Sequence, residues 1–268
     1  MENKNIVFQF ILLTFSIAFF CFRFLNFFSH CGSYTVYNWV STPTQFLANI
    51  PFAIYILSPT IASYIILKKH GEISSLLEWI KNVFYIKDSF LNYLYVFAVL
   101  FVYFLVHFVS NPREFAQPFY TFFLSLFGNI ILRGLEKSGW MYILQPELHK
   151  RFGFVRSNLF VGVLLLIWHV PLFFIAGTNH GEGFIHFGMF SVQLISFRFV
   201  HGAIYQISGK GAIFMCILFH TLFNALSPIF SSIVMTWRGT ILANLTLIII
   251  ALTTIYIHNK ALPSNTWN

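Results

Sequence analysis

Four polar residues lie in otherwise apolar segments, and their types suit hydrolysis. They are Glu136, His169, His220 and Asn224. A Glu carboxylate and a neutral imidazole can together polarise a water molecule as general base. A second imidazole and a carboxamide can donate hydrogen bonds to the oxyanion of a tetrahedral intermediate. These residues therefore predict a hydrolytic site, provided that the fold brings them together.

Glu136 is the one acidic residue that lies inside an apolar segment. The other acidic residues lie in tails or connections: Glu2, Glu72, Glu78, Asp88, Glu114, Glu147 and Glu182. A carboxylate at membrane depth costs several kcal/mol unless it is paired or hydrated, so it indicates a functional site. The alternative is that Glu136 neutralises Arg133, three residues earlier on the same helical face. Adjacent residues of a helix point roughly 100° apart, so Lys137 is not required to contact the carboxylate.

The elements that must position these residues are predicted to be membrane-spanning helices. Apolar residues make up 57% of the chain and charged residues only 9%, unlike a water-soluble domain. Since no ten-residue alternating pattern occurs, the segments are helices rather than barrel strands. The prediction is an all-α polytopic membrane protein with a single transmembrane domain over residues 1–268. Its eight predicted spans are residues 6–28, 46–67, 90–110, 122–145, 159–176, 184–207, 212–230 and 240–257.

The distribution of basic residues predicts the orientation of the chain. One side of the predicted topology carries Lys4, Lys68, Lys69, Lys81, Lys87, Lys150, Arg151, Arg156, Lys210 and Lys260. The other side carries only Arg113 and Arg238. By the positive-inside rule both termini are cytoplasmic, and the protein is expected in the cell membrane with the lipid bilayer as a partner. The net charge of +8 follows from this topology, so no nucleic-acid partner is predicted.

Two connections and the cysteines add little to the functional prediction. Residues 68–89 mix lysines with apolar residues, as an interfacial amphipathic helix does, and are interpreted as a linker at the lipid headgroups. Cys21, Cys31 and Cys216 are spaced neither as a metal site nor as a disulfide framework. They therefore indicate no redox or metal function.

Counting along the predicted helices puts the polar residues at similar depths. Glu136, His169 and His220 each lie eight to ten residues from the cytoplasmic end of a predicted span. At about 1.5 Å per residue this is roughly 12–15 Å into the membrane. Asn224 follows His220 by four residues, so both project from one helical face. One shared cavity is therefore predicted.

These residues resemble the three motifs of a known family. Glu136-Lys-Ser-Gly-Trp-Met141, Trp168-His169-Val-Pro171 and His220-Thr-Leu-Phe-Asn224 are similar, in order and spacing, to those of the CPBP family. This family comprises the CAAX prenyl endopeptidases and bacteriocin-processing or immunity proteins. The resemblance covers residues 122–227, including an amphipathic stretch over 145–154 after the first motif.

The resemblance implies a glutamate-dependent intramembrane endopeptidase. In that reading Glu136 and His169 activate water, and His220 and Asn224 stabilise the oxyanion. The implied substrate is a peptide bond near the cytoplasmic interface, in a lipidated CAAX-like protein or a leader-bearing peptide. Two His and one Glu without a further carboxylate make a thin case for zinc, so neither a metal nor another cofactor is expected.

The first motif departs from the family pattern. Lys137 stands where the family has a second Glu and Met141 where it has Arg, and Leu165 replaces the usual Phe of the second motif. The family's Glu and Arg lie four residues apart and would form an ion pair on one helix, and both are missing here. Either the loss loosens the support of the reacting groups, or Lys137 keeps Glu136 ionised as base.

Arg133 and Lys137 bring two like charges to one helical face, which predicts a wet cavity open to the cytoplasm. Together with Trp168 they are the predicted supporting residues of the site.

Other functions remain as alternatives. A catalytically impaired family scaffold would bind a peptide or a membrane-protein partner. An anion transporter would use Arg133, Lys137 and Arg198, but no internal repeat supports it. A zinc helix of the H-E-x-x-H type is absent, Asp88 is the only aspartate, and nothing places a base beside Ser138. Retention of all four reacting residues favours the enzyme.

Overall fold

The computed structural model describes residues 3–30, 36–37, 42–111, 117–230 and 235–261. These residues form helices and connections without a strand, which confirms the all-α class. In chain order the α-helices are α1 (Asn3–His30), α2 (Pro43–Ala48), α3 (Ile50–Ile56), α4 (Ser58–Lys69), α5 (Leu76–Val83), α6 (Phe90–Ser110), α7 (Tyr120–Asn129), α8 (Glu136–Gly139), α9 (Gln145–His169), α10 (Phe187–Ile207), α11 (Ala212–Leu226) and α12 (Trp237–Ala261). Two π-helical turns, Ile130–Gly134 and Trp140–Leu144, flank α8, and a 3₁₀ turn, Val170–Phe174, follows α9.

Five helical stretches of the described chain are long and apolar enough to cross a membrane. They are Ile6–Phe28, Phe90–Ser110, Tyr120–Phe174, Phe187–Ile207 and Trp237–Ala261. The pair α3 and α4, bent by 60°, makes a sixth if it counts as one span. Several apolar helices of spanning length are thus present, as the composition predicts.

The eight predicted spans do not map one to one onto these stretches. Tyr120–Phe174 is 55 residues long and covers two predicted spans. At about 1.5 Å per residue it would far exceed a bilayer core of about 30 Å if it were straight. It bends at Gly153, whose φ of 70° and ψ of −175° are not helical. With 15 residues, α11 is shorter than a typical span, so the number eight stays a prediction.

The helices bury one face and expose apolar side chains on the other. In α6, Val96, Val99 and Leu100 are buried, whereas Phe97 and Phe101 are largely exposed. An exposed face of large apolar residues suits contact with lipid. Within the bundle, α10 packs against α9, α11 and α12, and α1 packs against α3 and α4.

The predicted interfacial stretch contains one short helix, α5. Trp79 and Val83 turn into the core, whereas Leu76 and Leu77 stay exposed beside the lysines of this segment. Two hydrogen bonds from Ser74 hold the pKa of the exposed Glu78 below its ordinary value. An exposed apolar edge next to charged groups suits the headgroup boundary.

Parts of the sequence predictions lie outside the described residues. They include Glu2, Cys31, Arg113 and Glu114. The other two cysteines, Cys21 and Cys216, are buried free thiols.

Candidate active site

Glu136 begins a four-residue α-helix between two π-helical turns. The turn before it is Ile130–Gly134, and the turn after Gly139 is Trp140–Leu144. The sequence predicted one regular helix over residues 122–145, and no pattern in it signalled the two turns. A π turn takes up an extra residue and redirects the side chains that follow, and such turns are frequent at functional sites.

Two glycines bring this helix into close contact with its neighbours. A Cβ at Gly134 would lie 2.3 Å from Thr221 Oγ1 of α11, and a Cβ at Gly139 would lie 2.2 Å from the Pro59 carbonyl oxygen of α4. Both distances are far below any real carbon contact. Only glycine therefore lets α11 and α4 approach the Glu136 segment this closely.

The bent pair of helices α3 and α4 connects the first two motifs. Thr60 Oγ1 in α4 donates a 2.7 Å hydrogen bond to the Leu135 carbonyl oxygen. Trp168 Nε1 donates to Ser58 Oγ at 3.1 Å, and the Tyr55 hydroxyl donates to the Trp168 carbonyl oxygen.

The sequence predicted a single span over residues 46–67 and missed this bend. Pro51 and Pro59, one near the start of each helix, are the signal that indicates it. Trp168 is buried against Tyr55 and Trp140, with ring centroids 5.2 and 6.3 Å away. Its predicted supporting role thus takes the form of packing.

Lys137 forms an ion pair with Glu136. Its Nζ lies 2.7 Å from Glu136 Oε1, and the two residues are only 5% and 3% exposed. Adjacent positions on a helix did not require this contact, but the long lysine stem folds back to reach the carboxylate. Arg133, the alternative partner, instead donates from Nη1 to Asn224 Oδ1 at 3.3 Å.

The other carboxylate oxygen faces the third motif. Glu136 Oε2 lies 4.0 Å from His220 Nε2. Asn224 Nδ2 donates to the His220 carbonyl oxygen at 2.8 Å, so one of its two amide N–H groups is already used. The fold therefore brings Glu136, His220 and Asn224 to one place, across 88 residues of sequence from Glu136 to Asn224.

His169 lies at the edge of this group. Its Nδ1 is 2.7 Å from the Leu165 carbonyl oxygen, and its ring packs on Phe190 with centroids 5.1 Å apart. A carbonyl can only accept, so Nδ1 carries the proton and Nε2 keeps a lone pair. No hydrogen bond or ion pair joins His169 to Glu136 among the described residues.

Arg198, which the sequence suggested for the transporter alternative, is buried in contact with the first motif. It is 2% exposed in α10, and its Nη1 lies 3.2 Å from Met141 Sδ, the position where the family has Arg. Its Nη2 donates to Gln145 Oε1 and, at 3.5 Å, to Asn158 Oδ1. The signal that marks it is the one that marks Glu136, a charged residue inside an apolar segment.

His201 lies in α10, one helical turn after Phe197. It is 1% exposed, and its ring centroid lies 6.1 Å from that of His220. Its Nδ1 is bonded to the Phe197 carbonyl oxygen at 2.7 Å. It therefore borders the third motif from the α10 side.

The described part of the chain holds no cluster of three or more His, Cys, Asp or Glu side chains arranged for a metal ion. The geometry thus offers a carboxylate and imidazoles as proton-transfer groups, with an amide beside them.

No protein-family model matches the chain, and no curated protein matches it. The likeness to the CPBP motifs therefore remains a prediction from the residues quoted for it.

Proposed function

We propose that this protein is an intramembrane endopeptidase of the CPBP type. The observation that carries the proposal is the 4.0 Å separation between Glu136 Oε2 and His220 Nε2. With its proton on Nδ1, a neutral His220 keeps a lone pair on Nε2, and both atoms can then accept a hydrogen bond from one water molecule. Lys137 supports this arrangement because it binds the opposite oxygen, Oε1, and leaves Oε2 available.

The separation suits a bridging water. A water about 2.8 Å from each atom would bind the two with an angle of about 90° at its oxygen, near its own bond angle. Its oxygen would attack the peptide carbonyl carbon while its proton passes to Glu136. The same proton would then reach the amine nitrogen as the C–N bond breaks, which returns Glu136 to its ionised state.

The remaining residues have supporting roles in this proposal. The free N–H of the Asn224 amide is a donor for the oxyanion. His220, rather than His169, is the imidazole that shares the water with Glu136, because only His220 approaches the carboxylate. His169 presents a lone pair at Nε2, which would accept a hydrogen bond from the N–H of the leaving amine.

We also propose that the chain crosses the cell membrane eight times with both termini in the cytoplasm. Support comes from the break at Gly153, which divides Tyr120–Phe174 into two spans, and from the apolar α11. The test is labelling of single cysteines, placed at Lys210 and Glu182, with a membrane-impermeant thiol reagent in whole cells. The proposal predicts labelling at position 182 only, and labelling at 210 would contradict it.

A second candidate is a scaffold that binds a peptide or a membrane protein without cleaving it. The 2.7 Å contact between Lys137 and Glu136 favours this candidate, because a cation at the carboxylate weakens it as a base. Both the endopeptidase and the scaffold would bind a peptide, but only the endopeptidase would cleave it.

The deciding experiment is cleavage of a panel of prenylated and leader-type peptides by the purified full-length protein in detergent. Glu136→Gln and His220→Ala are expected to lower turnover by about 10²–10⁴, and His169→Ala by less. Glu147→Gln, which changes a carboxylate paired with Lys150, is the matched control and keeps full activity. A wild type that binds these peptides and cleaves none would make the scaffold the better description.

A further inference from the structure

The candidate site carries more positive than negative charge. Glu136 supplies the carboxylate of the site. Lys137 neutralises this carboxylate, because its Nζ lies 2.7 Å from Glu136 Oε1. The other ion pair between oppositely charged side chains in the described chain, Lys150–Glu147, belongs to the start of α9. Arg133 and Arg198 therefore remain as cations without an anionic partner among the described residues.

These two arginines differ in access. Arg198 is 2% exposed and donates its hydrogen bonds to neutral acceptors inside the core. Arg133 is exposed, and its recorded partner is the neutral Asn224 Oδ1. A guanidinium has five N–H donors, so four of those on Arg133 have no partner in the described part of the chain.

Arg133 lies beside the candidate site. Its Nη1 donates to Asn224 Oδ1 at 3.3 Å, and Asn224 Nδ2 donates to the His220 carbonyl oxygen, so the guanidinium borders the third motif. An arginine at membrane depth costs several kcal/mol unless it meets an anion or water. Its planar fork matches a carboxylate with two parallel hydrogen bonds.

We infer that Arg133 is a recognition site for a carboxylate of the peptide substrate, an Asp or Glu side chain or a terminal carboxylate. Arg133 precedes Glu136 by three residues, at most about 4.5 Å along the helix axis, because a π turn rises less per residue than an α turn. An extended peptide advances about 3.3 Å per residue, so the carboxylate lies one or two residues from the cleaved bond. The inference rests on the proposed function and names its substrate class.

The test measures binding separately from cleavage. Pairs of twelve-residue apolar peptides, acetylated, amidated and labelled with an uncharged dye, differ only by Asp or Asn at one central position. Their dissociation constants are measured by fluorescence anisotropy on full-length His220→Ala in detergent, at low and at high salt. This variant lowers turnover but keeps the ion pair between Glu136 and Lys137, so Lys137 is not freed to bind the peptide carboxylate. The same peptides are then offered to the protein with His220 intact for cleavage.

We expect the Asp peptide to bind on the order of tenfold more tightly than the Asn peptide. Adding Arg133→Gln removes that preference, Arg133→Lys retains part of it, and Arg133→Glu reverses it toward a Lys peptide. Arg151→Gln is the matched control, because it removes one exposed cation outside the site and leaves the preference intact.

Equal binding of both peptides would overturn the inference, and so would a preference that survives Arg133→Gln. It would also be overturned if Arg133 were needed only to bind added phosphatidylglycerol and not the peptide. The proposed function fails separately. If the preference depends on Arg133 but no peptide is cleaved, the result supports the recognition site and contradicts the endopeptidase activity. If peptides are cleaved without a charge preference, the result supports the endopeptidase activity and contradicts the recognition site.

Discussion

Lys137 and Arg198 are two cations buried in the same helical core, and they are stabilised in different ways. Lys137 has a carboxylate at 2.7 Å, whereas the acceptors bonded to Arg198 are a thioether and two amide oxygens. A buried ion pair makes each partner depend on the other, since removing one leaves an uncompensated charge. A cation bonded to neutral groups carries no such dependence. Lys137 is therefore tied to Glu136, and Arg198 is tied to the packing around Met141.

The strongest test of this difference places a second guanidinium beside Arg198. We expect Met141→Arg to lower the free energy of unfolding by about 3–5 kcal/mol, because it buries an unpaired like charge. Adding Arg198→Met is expected to recover most of that loss. Unfolding in a detergent titration followed by tryptophan fluorescence measures both variants. A stable Met141→Arg single variant would show that the core beside Arg198 accepts a second cation.

Removing the cation of the ion pair is expected to cost nearly as much. Lys137→Met leaves the Glu136 carboxylate buried without its partner, so we predict a loss of about 3–4 kcal/mol. The double variant Glu136→Gln with Lys137→Met is expected to regain most of the loss. A double-mutant cycle by the same unfolding titration measures the coupling. Additive effects would mean that the contact contributes little.

Moving the ion pair without changing its charges is expected to have a smaller effect. Gly139→Ala puts a methyl group 2.2 Å from the Pro59 carbonyl oxygen, so α4 and α8 must separate at a cost of about 1–3 kcal/mol. Gly128→Ala is the matched control in the preceding helix, because nothing lies within 4 Å of its added Cβ. Thermal unfolding in detergent compares the two. Equal stability of both variants would contradict the close approach of α4.

The smallest effect is expected at Arg198 itself. Arg198→Met removes hydrogen bonds to neutral acceptors but also removes a buried charge, so we predict a loss of about 1–2 kcal/mol. The unfolding titration used for Lys137→Met provides the comparison. If Arg198→Met costs as much as Lys137→Met, the distinction between the two cations does not hold.

Local sequence features predicted the coarse structure well. The hydropathy of a segment depends only on the residues within that segment. The helical class and several spans could therefore be predicted from composition and length. The depth count that grouped Glu136 with His220 also succeeded as geometry, since the two side chains lie 4.0 Å apart. The equal depth predicted for His169 did not produce a recorded contact with Glu136.

Other features depend on contacts between distant residues and could not be predicted. Arg198 meets Met141 across 57 positions of the chain. Pro51 and Pro59 signal a break between α3 and α4, but neither proline specifies the 60° angle between them. The contact between Lys137 and Glu136 depends on which way a flexible stem folds in a core that offers few other anions. Residue spacing contains none of this information.

The π-helical turn before Glu136 has a consequence for how the segment tolerates insertions and deletions. One residue corresponds to about 100° of rotation in an α-helix, and a π turn holds about one residue more than an α turn. The direction of the Glu136 carboxylate therefore depends on the number of residues between Tyr120 and Glu136 as much as on their types. Many apolar substitutions in Ile130–Gly134 would preserve that direction, whereas a single deletion would turn the carboxylate away from His220.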